Sequence, residues 1–175
     1  MDEAELLDGL ATAARTTWER TVAEHGSRAV WLPEMVMVDD EGVVLHVGLV
    51  ADVPPGMEVS TADMVMDAAL MVVQPSTAWL GVTVDSYICN DPRLNDRVAA
   101  GHTTLRRLYD QRMPGVVDCL FVYAVNRRAE QRCIPMPYRV RSGRVQWLSP
   151  PDLDGDQMGG RLADALSAAM TRGAN

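Results

Sequence analysis

Six arginines crowd one short stretch of this sequence: Arg127, Arg128, Arg132, Arg139, Arg141 and Arg144. A guanidinium is permanently charged, and its planar fork of donors fits a carboxylate or a phosphate two bonds at a time. Such a group can hold an acidic protein surface, or phosphates including those of a nucleic acid. It can also simply guard a sheet, because charge on an outer strand discourages pairing with another chain. The chain itself is acidic, with a formal net charge of −8. That balance weighs against nucleic acid. Edge protection with solvation is the first expectation for the arginines; an acidic protein surface, or self-association, is their expected binding use if they have one.

Asp85, Tyr87 and His102 are the second set with chemistry in them, since a carboxyl, a phenol and an imidazole can pass protons. Asp85 and Ser86 are neighbours in a strand pattern, so their side chains face opposite ways and Asp85 cannot activate Ser86. No G-x-S-x-G turn surrounds that serine. An enzyme built here needs the fold to gather Asp85, Tyr87 and His102; the sequence alone designates no catalytic residue.

Other motifs fail on spacing. Asp152-Leu153-Asp154-Gly155-Asp156 echoes a calcium loop, but Gln157 and Ala163 stand where that loop needs Gly and Glu. Asp39-Asp40-Glu41 sits in a tight turn and cannot aim three carboxylates at one ion. His25, His46 and His102 are scattered, and Cys89, Cys119 and Cys133 form no C-x-x-C. All basic residues are arginine, so a P-loop lysine is impossible. No metal or cofactor is expected, and the cysteines read as buried free thiols.

The elements that must position these residues are legible from periodicity. Thr77 to Cys89 alternates as a strand with apolar groups on both faces, which predicts an inner strand. Val116 to Val125 reads the same way, interrupted only by Asp118. Glu130 to Arg141 returns the chain; Pro135 and Pro137 predict an edge strand or a bulge there, since proline cannot donate to a ladder. Ser142-Gly143 is a two-residue hairpin loop. Pairing across it sets Arg141 opposite Arg144, Val140 opposite Val145 and Tyr138 opposite Trp147. Arg139, Arg141 and Arg144 should then share the outer face.

Upstream, residues 2 to 24 form an amphipathic helix with a stripe of Leu7, Leu10, Ala11, Ala14, Trp18 and Val22. A connector or short strand, Ala29 to Leu32, follows. A hairpin joins Glu34–Val38 to Val43–Ala51, with Val43, Leu45, Val47 and Leu49 expected in the core and His46 opposite. After a Pro-Gly loop, Ser60 and Asp63 open a largely buried helix that runs to about Val73. Thr103 to Arg112 and Arg161 to Thr171 complete the helices.

Residues 1 to 91 hold 16 acids and 3 arginines, a net of −13; residues 92 to 175 hold 8 acids and 13 arginines, a net of +5. The two halves neutralise each other once folded, or one of them meets a charged partner. No apolar run is long enough to span a bilayer. The acidic start, MDEAELLDG, is unlike a secretory signal, so a cytoplasmic protein is expected.

The run MPGVVDCLFVYAVNRRAEQRCIPMPYRVRSGRVQWLSP, with Asp85-Ser86-Tyr87 before it, resembles a pattern in uncharacterised small α/β proteins of actinobacteria and their phages. The resemblance spans about residues 60 to 150 and implies no assigned activity.

The expectation is thus one α+β domain over residues 1–175. Its sheet is mixed or mainly antiparallel, has about five or six strands, and carries packed helices. The expected function is non-enzymatic protein interaction or assembly. The alternatives are a small enzyme near Asp85, Tyr87 and His102, and nucleic-acid binding through the arginine hairpin.

Overall fold

The computed structural model describes residues 3–49, 61–150 and 161–173. It is an α+β fold. Among these residues lie strands β1 (Glu34–Asp39), β2 (Val44–Gly48), β3 (Thr77–Cys89), β4 (Val116–Asn126), β5 (Gln131–Arg141) and β6 (Arg144–Trp147). The helices are α1 (Glu3–His25), α2 (Thr61–Val72), α3 (Pro92–Ala99), α4 (Leu105–Asp110) and α5 (Arg161–Gly173). The strands form one sheet in the order β2-β1-β3-β4-β5-β6, antiparallel throughout.

β3 and β4 are the inner strands, as their two-sided apolar pattern requires. Leu80, Val82, Val84 and Ile88 of β3 point to one face with Val117, Cys119, Phe121 and Val125 of β4. There they meet Val65, Ala68 and Ala69 of α2 and Leu166, Ala169 and Met170 of α5. The opposite face carries Val36, Val38, Leu120, Val122, Ala124, Met136 and Tyr138 under the stripe of α1. All six residues of that stripe are buried. Gly81 lets α1 come close: a Cβ there would lie 2.6 Å from Leu10 Cδ1.

Trp18 stands at the centre of the α1 layer, edge-on to Trp31 and Tyr138 with ring centroids 6.0 and 5.5 Å away. Among the described residues its Nε1 has no hydrogen-bond partner. Trp31 donates to the Thr83 carbonyl at 3.2 Å, so residues 29–32 are anchored by a side chain and form no strand.

The edges depart from expectation. Val43 and Leu45 are 59% and 50% exposed, and only Leu49 of the four expected core residues is buried, with Val47 half-buried. β2 is the outer strand, and the apolar layer beneath α2 and α5 reaches only its Val47–Leu49 end. α2 is less buried than its composition implies, with Leu70 and Met71 facing out. β5 lies between β4 and β6, so the prolines do not mark the sheet's edge. β6 pairs only with Tyr138–Arg141, however, so at Pro135 the strand is locally an edge. At Pro137 the carbonyl alone is used, accepting from Leu148 N at 2.8 Å. α3 was not anticipated. Its signal was Asp91-Pro92: Asp91 caps the helix by accepting from Arg93 N at 2.9 Å, and proline occupies the first turn. The expected starts at Ser60 and in the Asp152–Gly160 loop lie outside the described residues.

Candidate functional site

The six arginines do not form one patch. β5 separates them: Arg132 and Arg139 are seven residues apart along an extended strand, roughly 23 Å. At the β4–β5 turn, Asn126 Oδ1 accepts from Arg128 N and Glu130 N at 2.9 and 3.0 Å, and Ala129 takes a left-handed φ of 58°. Arg127 there is structural. It donates to the Thr77 carbonyl at 2.7 Å and to Asp40 at 2.8 Å, tying this turn to the one between β1 and β2. Asp39 shapes that second turn by accepting from Glu41 N and Val43 N, so the acidic triplet is a solvated turn. Arg128 and Arg132 are exposed, and Arg132 donates to the Gln131 carbonyl.

Arg139, Arg141 and Arg144 come together at the other end. Ser142 and Gly143 both have positive φ, 50° and 70°, the geometry of a tight hairpin whose twist matches its strands. The register is Arg141 opposite Arg144, Val140 opposite Val145 and Tyr138 opposite Trp147. Tyr138, Val145 and Trp147 face α1, which turns the three arginines to the other face. All three are exposed, and among the described residues none has an ion-pair partner. Arg139 also lines an open cleft of about 560 Å³ with Tyr109, Asp110, Arg112 and residues 113–116.

The acid–base candidates are only partly assembled. Asp85 and Tyr87 lie on the α1 face of β3, beyond the part that α1 covers. Asp85 accepts from the Tyr138 hydroxyl at 3.0 Å. Tyr87 stands opposite Asp118 of β4, which in turn stands opposite Tyr138. Asp118 accepts from the Tyr109 hydroxyl at 3.0 Å, and Tyr109 packs on Tyr87 with centroids 4.3 Å apart. His102 is exposed between α3 and α4, and no bond joins it to Asp85 or Tyr87. Two carboxylates and three phenols therefore occupy this place instead of the expected trio. The missed residues carried one signal: Asp118 is the single acid in an otherwise apolar strand.

Desolvation dominates the electrostatics here. It raises Asp85 from the ordinary carboxylate range to about 6, against the Tyr138 hydrogen bond, which lowers it; Asp118 adds repulsion. Asp85 is nevertheless exposed at this end of its strand, so solvent moderates the rise. Burial also raises Asp118, opposed by its bond from Tyr109. Tyr109 is pushed up to about 12 by burial, then by its bond to Asp118. Burial pushes Cys119 to about 12 and Cys133 well above the usual thiol range, so neither is a reactive thiolate. Among the described residues no group of three His, Cys, Asp or Glu side chains can hold a metal ion, and no helix is long and apolar enough to cross a membrane. Comparison of the chain with protein-family models, curated proteins and solved structures returned no match.

Proposed function

We propose that this is a non-enzymatic interaction or assembly protein that docks an acidic protein surface on Arg139, Arg141 and Arg144. The supporting observation is three guanidinium groups in register on one exposed hairpin face, with no carboxylate paired to them among the described residues. Cations grouped on one face make a local positive potential that draws in acidic surfaces even on a chain that is acidic overall. A second copy is itself acidic overall, with a net charge of −8. Arginine suits the task because it binds carboxylates bidentately and is weakly hydrated. The reading places the protein in the cytoplasm, where its three free thiols stay reduced.

The test is Arg141→Glu with Arg144→Glu. Partner capture, or solution mass by light scattering at low and high salt, should fall with the double variant while the circular dichroism spectrum stays unchanged. An unchanged assembly state and partner set defeats the reading. The overall −8 charge argues against nucleic acid, which requires a steep loss of affinity with salt.

One observation favours a second reading, a small enzyme. Burial pushes Asp85 up to about 6 beside Tyr138, two residues along β3 from Asp118's partner Tyr87, so it can take and release a proton near neutrality. That reading requires a turnover that Asp85→Asn abolishes.

A further inference from the structure

The β4–β5 ladder ends at Asp118 opposite Tyr138, yet both strands continue: β4 begins at Val116 and β5 runs to Arg141. Val116 and Val117 remain paired with β3, and Arg139 to Arg141 remain paired with β6. The two inner edges therefore part into a fork while the ladders outside it stay closed. The cleft of about 560 Å³ lies at this fork, bordered by Val116 on one side and Arg139 on the other.

Backbone polarity inside the fork follows from the ladder. In an antiparallel pair, successive residues send their N–H and C=O to opposite neighbours. The Pro137 carbonyl accepts from Leu148 N on the β6 side. By alternation Arg139 and Arg141 also face β6, and Val140 directs its N–H and C=O toward β4, where the pairing has stopped. Val140 is itself 39% exposed. Arg112 and Arg139 both line the cleft, and its one acid, Asp110, is already engaged by Arg106 at 3.3 Å. Val140 does not line the cleft itself; its open edge adjoins the cleft next to Arg139, beside two cations not matched by the cleft's own acid.

We infer that the fork seats one extended acidic segment of the partner. Its backbone adds to β5 at Val140, and its carboxylates meet Arg112 and Arg139. Strand addition of this kind takes affinity from main-chain bonds and selectivity from the flanking side chains. The inference rests on the reading of the protein as a binder of acidic partners and specifies the form of what is bound: an extended chain rather than a folded acidic face.

The experiment uses a fluorescein-labelled octaglutamate peptide and the full chain at low salt, read by anisotropy, with the same peptide N-methylated at alternate amides as control. N-methylation keeps every charge and removes the strand-pairing donors. The peptide should bind, and N-methylation and Arg112→Ala should each weaken it by roughly tenfold, the scale of one lost hydrogen bond to or beside a charged group. The Val140 amide resonance should shift on addition of the peptide, a readout that needs no variant to fold. Equal binding of the N-methylated peptide with an unmoved Val140 amide overturns the fork. If Arg141→Glu with Arg144→Glu still abolishes that binding, the arginine face survives without it. Absence of any binding at low salt overturns the fork as well, while solution mass and partner capture judge the face separately.

Discussion

Asp85 is a carboxylate kept where its charged form is costly. Its pKa in the fold, about 6, stands above the ordinary 3.8. The folded protein therefore holds this proton more tightly than the unfolded chain does. The contribution to stability is fully present below about pH 4, declines as pH rises, and is gone above about pH 6. Asp85→Asn keeps an acceptor for the Tyr138 hydroxyl and removes the charge. It should raise the melting temperature at pH 7 and leave it nearly unchanged at pH 4; an unchanged pH 7 value would show that Asp85 is fully hydrated. Arg127 makes the opposite case, a charged group whose bonds are structural. Arg127→Ala should cost about 1–2 kcal/mol in urea unfolding, since it removes charge-assisted bonds to Thr77 and Asp40 from a partly exposed site. In the sequence both looked like groups with chemistry to offer, Arg127 as a ligand group and Asp85 as a proton carrier; the fold engages Arg127 with Thr77 and Asp40. Residue type names the chemistry available, but only long-range neighbours decide whether it is already used.

At the scale of elements the sequence was far more informative. The bounds of β3, the pairing across Ser142-Gly143 and the buried stripe of α1 all follow from local rules of period and turn conformation. Failures came where a neighbour overrode the pattern. Val43 and Leu45 alternate as core residues do, yet β2 ended at the sheet's edge, where helix cover gives out. Pro135 and Pro137 suggested an edge because no local signal tells how short the next strand is. Gly81 is an element-scale device: its missing side chain admits Leu10 and sets how closely α1 sits on β3. Gly81→Ala should destabilise by about 1–3 kcal/mol through overpacking. The same change made in a Leu10→Ala background should cost clearly less, and denaturant midpoints of the four proteins in that cycle measure the difference.

For the whole molecule, the architecture is one sheet with an apolar layer on each side. α+β class and inner strands were readable because two-sided apolar strands must be covered twice. The joint that brings Asp85, Tyr87, Asp118, Tyr109 and Tyr138 together was not, because it depends on the register of three strands and the placement of α4. The six arginines are close in sequence and divided in space, so the charge asymmetry of the two sequence halves does not describe the surface. Because both layers share β3 and β4, they should unfold together. Met170→Ala in the α5 layer and Trp18→Ala in the α1 layer should each lower the unfolding free energy by about 2–5 kcal/mol, and with it the single denaturant midpoint, without splitting the transition.

That division into layers has an optical side. All four tryptophans, Trp18, Trp31, Trp79 and Trp147, belong to the α1 layer, while Cys119 and Cys133 belong to the layer under α2 and α5. Intrinsic emission is therefore a probe of one side of the sheet and blind to the other, whereas thiol labelling reports chiefly on the side that emission misses. Followed in parallel on the natural sequence, the two signals should change together if the layers unfold as one. A lag between them would time the release of one layer against the other without any substitution.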